Sequence, residues 1–176
     1  LLCMSAATSP FLFDYEPLFQ QFNSQLKVNG FYDGAANEEQ SKAAARKTFK
    51  HKLAELYKEQ GNALFTDGQS RKATHLYIAA INLSPENPVY FSNLAGAYIQ
   101  MADYANAEDS CISGLKHAKE GSAIQGKLFW RLARVYKEET SKLNDALDTI
   151  NKALKIAPKD SKYLKAKRDI ESKIQK

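Results

Sequence analysis

The chain repeats itself. Laid over "FSNLAGAYIQMADYANAEDSCISGLKHAK" (91–119), the stretch "YKEQGNALFTDGQSRKATHLYIAAINLSP" (57–85) sets Gly61 against Ala95, Leu64 against Tyr98, Ala73 against Ala107 and Ala80 against Gly114, each pair 34 residues apart. A third copy, "LARVYKEETSKLNDALDTINKALKIAP" (132–158), carries Ala133, Tyr136, Ala146, Ala153 and Pro158 at offsets of 38 and 39 from the second. Extra residues around 120–122, and one more between Tyr136 and Ala146, account for the longer spacing. A period of this size restricts the chain to stacked units, because one short unit cannot bury its own apolar face and must share it with its neighbours.

Inside each unit the apolar spacing is that of helices, and small residues recur where two helices must cross closely. Pro85 and Pro158 stop the second helix of their units, since proline cannot continue it. "NEEQ" offers an asparagine cap at Asn37 with Gln40 three residues on, so the leading helix is predicted from there to Phe65. Further helices are predicted near 70–83, 88–101, 104–118, 123–139 and 143–156. A last amphipathic helix at 160–176 turns Tyr163, Leu164, Ile170 and Ile174 to one side. The expected class is all-α.

This pattern of small residues, large residues between them and a closing proline resembles the tetratricopeptide repeat, a helix–turn–helix unit of 34 residues. The resemblance implies a right-handed superhelix of three units, at about 54–87, 88–121 and 126–159 within 37–158, closed by 160–176 as a capping helix. An aromatic-rich N-terminal segment, 1–36, precedes them, with Leu18, Phe19, Phe22 and Leu26 on one helical face. That segment either packs onto the repeats or, over 11–32, anchors a second, unidentified protein.

One octet, "KEQGNALF" (58–65), resists its own helix. A mid-helix glycine costs about 1 kcal/mol and an asparagine about 0.5 kcal/mol relative to alanine, yet Gly61 and Asn62 stand side by side. The crossing explains Gly61 but not Asn62. Polar residues on the first helix of each unit supply a reason. Lys58 and Asn62, and then Lys127 and Arg131, are each four apart and so share a face, with Asn93 between the two pairs in sequence.

This set is similar to the dicarboxylate clamp of chaperone-binding tetratricopeptide domains. The resemblance implies that Lys58, Asn62 and Asn93 hold a peptide's terminal carboxylate, while Lys127 and Arg131 reach the side-chain carboxylate of its last aspartate. Arg134 departs from the family by adding charge, and is expected to meet glutamates upstream. Phe65, Tyr98 and Trp130 are candidates for side-chain pockets, Tyr98 and Trp130 being also candidates for the core. The ligands so implied are Glu-Glu-Val-Asp tails of the seventy- or ninety-kilodalton heat-shock chaperones. Loss of Lys58 or Arg131 is then expected to cost about 2 kcal/mol of binding. Asn62→Ala is expected to weaken binding while raising helix stability.

Other classes find less support. His51, His75 and His117 fall on different predicted helices, no Ser/His/Asp or Cys/His grouping can be drawn, and no glycine-rich phosphate loop occurs, so neither catalysis nor any cofactor or metal is expected. Cys3 and Cys111 give no disulfide framework; a buried Cys111 thiol in a reducing compartment is expected. The net charge of +5 gathers partly at 43–52 and 162–176, where apolar residues interleave with it, so a solvated face is expected rather than nucleic-acid binding. No apolar run reaches the roughly 18 residues of a membrane span, and "LLCMSAATSP" lacks the basic lead of a secretory signal. The expected protein is a cytoplasmic, non-catalytic co-chaperone adaptor, recruited to a membrane or complex through a partner if at all. The alternative is a tetratricopeptide scaffold for an unrelated acidic peptide.

Overall fold

The computed structural model describes residues 15–28 and 38–175, and everything below concerns those residues. Helices follow one another: α1 (Glu16–Val28), α2 (Glu38–Thr66), α3 (Ser70–Leu83), α4 (Pro88–Gln100), α5 (Tyr104–His117), α6 (Ala123–Tyr136), α7 (Leu143–Ile156) and α8 (Ser161–Ile174). The proposed cap at Asn37 lies outside the described residues.

Local chemistry sets the boundaries. Asn87 caps α4 by accepting from Val89 N at 3.0 Å, with Pro88 at the first helical position, where its missing N–H costs nothing. Asp103 caps α5 (Asn106 N, 3.3 Å), Ser122 caps α6 (Gln125 N, 3.3 Å) and Asp160 caps α8 (Lys162 N, 2.8 Å). The turn from α2 to α3 passes through Gly68 at φ +78, a left-handed conformation that glycine adopts without strain. Helix α6 ends at Tyr136, short of the predicted Lys137–Glu139 turn. Glu139 is extended and a 3-10 turn follows at Thr140–Lys142, so the connection takes up the residue inserted in the third unit.

Each helix from α2 onward packs on the next, and α2, α4, α6 and α8 also meet in series. They form one layer, and α3, α5 and α7 back it. The small residues read from the repeat all lie inside: Gly61, Ala73, Ala80, Ala95, Ala107, Gly114, Ala133, Ala146 and Ala153 are buried.

What fills the space beside them changes from unit to unit. A Cβ on Gly61 would lie 2.7 Å from Cε1 of the buried Tyr77 ring. At the equivalent place in the second unit Ala95 packs in one cluster with Cys111, and in the third Ala133 packs with Ile150. The larger facing side chain goes with the smaller crossing residue, as close packing at near-crystalline density requires. Cys111 is fully buried, and burial pushes its thiol up to about 12, that of an inert core residue.

The N-terminal half of α2 extends beyond its partner. At 29 residues it spans about 43 Å, twice the length of the 14-residue α3. Helix α1 covers the overhang: Phe19 is buried against Phe49 (centroids 5.7 Å), Phe22 stacks on Phe49 (5.2 Å), and Arg46 bonds Glu16 at 2.7 Å while lying over the Phe19 ring. Phe19 and Phe22 are thus occupied within the chain, whereas Leu18 and Val28 stay exposed.

Gly61→Ala is expected to destabilise the fold by about 1–2 kcal/mol: the overpacking cost against a ring that cannot withdraw exceeds the roughly 1 kcal/mol gained in helix propensity. Urea unfolding measures it, and Gly61→Ala combined with Tyr77→Leu should recover part of the loss.

Candidate functional site

Lys58 and Asn62 from α2, Asn93 from α4, and Lys127 and Arg131 from α6 line one cavity of about 410 Å³, together with Phe65, Tyr77 and Val89. Three leading helices therefore place five residues, far apart in sequence, around a single opening. Phe65 joins them. Arg134 and Tyr98 do not: Arg134 lines a neighbouring cavity against α8, and Tyr98 packs on the α3–α4 core with Leu64, Ile78 and Leu94. Arg134 is one turn beyond Arg131 and leans onto Trp130, and Tyr98, a candidate for the groove or the core, takes the core place between α3 and α4.

Asn62 is fixed by two donors. Its Oδ1 accepts from the Tyr77 hydroxyl at 2.8 Å and from Asn93 Nδ2 at 3.0 Å. The amide is thereby oriented, and among the described residues nothing accepts from its Nδ2. Tyr77 is itself held flat over Gly61, so the adjacent pair forms a unit: Gly61 admits the ring, and the ring's hydroxyl aims Asn62. This revises the expectation for Asn62→Ala. The exchange strands a buried hydroxyl, at about 1–3 kcal/mol, and outweighs the half kilocalorie of propensity. Burial pushes the Tyr77 phenol up to about 12, the nearby Arg131 charge opposing, so it remains a neutral donor.

Lys58 is already engaged. Its ammonium pairs with Glu55 one turn earlier, and Glu55 Oε1 accepts from the buried Tyr90 hydroxyl at 2.6 Å. Those hydrogen bonds, Lys58 first and Tyr90 second, hold the Glu55 carboxyl below its ordinary value. The chain Tyr90–Glu55–Lys58 fixes where the first cation stands.

Arg131 is the opposite case. Only 9% of it is exposed, its Nε is buried without a partner, and none of the described carboxylates pairs with it. Burial lowers its pKa, and Arg134 adds to that. Lys127 is lowered too, first by burial and then by Arg131 and Lys162. Two partly desolvated cations line the same cavity. Such a charge is costly unless an anion meets it.

Gly96 makes room for Arg131. A Cβ there would fall inside the contact radius of Nη1 and 2.7 Å from Cζ. Sequence reading passed over Gly96, Tyr77 and Glu55. The only signal was a second small residue beside Ala95 in "LAGAY" (94–98) and the bulk of Tyr77 opposite a glycine. Among the described residues no group of three or more His, Cys, Asp or Glu side chains could hold a metal ion, and no helix is long and apolar enough to cross a membrane.

No family model matches the chain. A pea (Pisum sativum) protein described as "Translocon at the outer membrane of chloroplasts 64" is 31% identical over 118 residues, which is 67% of this chain and 19% of that protein. The chain thus spans less than a fifth of the length of this relative. Among solved structures, the Arabidopsis OM64 TPR domain superposes with a TM-score of 0.63 at 24% identity, over 70% of this chain and 98% of that one. The first TPR of Spaghetti (RPAP3), bound to the HSP90 peptide SRMEEVD, gives 0.64 at 24% identity over 72% and 96%. The chain has the fold of a tetratricopeptide repeat domain.

Gly96→Ala should separate stability from binding. The guanidinium, unlike the Tyr77 ring, can swing into the cavity, so unfolding free energy should stay within about 1 kcal/mol of wild type while carboxylate-peptide affinity falls about tenfold or more. Urea unfolding beside calorimetric titration checks both, with Asn62→Ala as the contrast that loses stability as well.

Proposed function

We propose that this chain is the peptide-binding part of a non-catalytic co-chaperone adaptor, and that its cavity receives the C-terminal Glu-Glu-Val-Asp tail of a heat-shock chaperone. The observation that carries the reading is Arg131: a nearly buried guanidinium with an unpartnered Nε and no anion of its own, opening on a cavity with Lys127 beside it. A terminal aspartate brings two carboxylates on one residue. Its side-chain carboxylate would meet the Arg131 fork and the Lys127 ammonium; its α-carboxylate would take hydrogen bonds from Asn62 and Asn93 and share Lys58 with Glu55. Asparagines donate there without adding a fourth positive charge to Lys58, Lys127 and Arg131.

The similarity in fold to a domain bound to an HSP90 peptide supports this ligand class. The pea relative's description, which names a translocon at the outer membrane of chloroplasts, supports a place for such an adaptor at an organelle surface. Binding of the carboxylates would raise the lowered Lys127 pKa towards the ordinary lysine value, because the anion favours the charged form.

Isothermal titration with a peptide ending in Glu-Glu-Val-Asp, and with the same peptide amidated at its C-terminus, tests the proposal. A micromolar Kd for the free acid is expected, weakened at least about thirtyfold by amidation or by Arg131→Ala, equivalent to about 2 kcal/mol. Equal binding of both forms, or indifference to Arg131→Ala, would move the site to an unrelated acidic ligand.

A further inference from the structure

Beside the first cavity lies a second, of about 300 Å³, between α6 and α8. Trp130, Ala166 and Ile170 give it apolar walls, and Arg134, Lys137, Lys162 and Lys165 rim it with positive charge against one carboxylate, Asp169. Lys137 is paired with Glu138 at 3.6 Å, but none of the described carboxylates lies within ion-pair distance of Arg134, Lys162 or Lys165. A capping helix needs only a polar outer face, and mixed charge would serve for that. Three unpaired cations around a concave pocket exceed the requirement.

The two cavities are joined through α6. Lys127, Arg131 and Arg134 follow one another at spacings of four and three, each about one turn, or 5.4 Å, along the same face. The Trp130 ring stands at the junction, with the Arg131 guanidinium 5.9 Å from its centroid and that of Arg134 5.0 Å. Stacking holds the Arg134 plane in place and leaves its edge free to bond an acid. Lys162 is close enough to Lys127 to lower its pKa, so the basic field is continuous from one pocket to the next.

We propose that Trp130, Arg134, Lys162 and Lys165 form a second acid-reading subsite, which takes glutamate side chains two or three residues before the terminal aspartate of the bound peptide. This rests on the carboxylate-binding reading of the first cavity. An extended peptide advances about 3.3 Å per residue, so residues two and three before the C-terminus pass one to two helical turns from the terminal carboxylate. The apolar walls suit the methylenes of glutamate, and the cations suit its carboxylate. The capping helix then takes part in ligand choice as well as closing the stack.

The test compares two free-acid peptides of equal length, one ending Glu-Glu-Val-Asp and one ending Ala-Ala-Val-Asp, on the wild-type chain and on the Lys162→Gln/Lys165→Gln variant. Both substituted residues are exposed, and glutamine is a good helix former, so the fold is retained. The wild type should prefer the glutamate peptide about tenfold and the variant only about twofold, as expected for a few rim charges. An unchanged preference, or an equal loss for both peptides, would overturn the subsite alone. Failure of both peptides to bind the wild type would overturn the first cavity's reading and the subsite with it. Stronger binding of an oligouridylate than of either peptide, lost in the variant, would reassign the pocket to nucleic acid.

Discussion

Close approach of helices at small residues is the constraint on which the rest of this structure depends. Each crossing accepts one side chain of matched bulk: Tyr77 beside Gly61, Cys111 beside Ala95, Ile150 beside Ala133. The same crossings build the site. Because Gly61 admits the Tyr77 ring, the Tyr77 hydroxyl reaches Asn62, and Asn62 in turn accepts from Asn93 on the next leading helix. Because Gly96 has no side chain, the Arg131 guanidinium can lie across α4 from α6. Packing and recognition therefore use the same few positions, and a methyl group in the wrong place disturbs one or both.

Energetically the arrangement trades local preference for position. Gly61 and Asn62 together forgo about 1.5 kcal/mol of helix propensity, and a cation as buried as Arg131 opposes folding further while nothing neutralises it. The long α2 with its α1 cover, and the shared apolar faces of the stacked units, offset this. Lys58 differs from Arg131 in having an internal partner. Glu55 keeps the first cation oriented without a ligand, at the expense of competing with the incoming carboxylate for it. One cation is held in place and the other left open.

Much of this was legible in the chain because a repeat reports contacts indirectly. Equivalent positions share environments, so the alignment of Gly61 with Ala95 and of Ala80 with Gly114 marks the crossings. The helices predicted near 70–83, 88–101, 104–118 and 143–156 match to within a residue, and the third unit departs where it turns through 137–142. The five polar residues could be collected because helical spacing placed each on a leading helix. What remained hidden depends on contacts between units. Nothing local says that Tyr77 bonds Asn62, that Tyr90 holds Glu55, or that Gly96 faces Arg131. Spacing alone also could not show that Arg134 lines a separate cavity against α8, with its guanidinium over the Trp130 ring.

The central claim is that Arg131 is held ready, without an internal anion, for a carboxylate arriving from outside. Side-chain nitrogen NMR of the Arg131 Nε–H tests it most directly, recorded during titration with a free-acid peptide ending in Glu-Glu-Val-Asp. The account predicts one arginine Nε–H, assigned by its loss in Arg131→Lys, that shifts strongly and exchanges more slowly with solvent as the peptide binds. A peptide that binds while this resonance stays unmoved would contradict it.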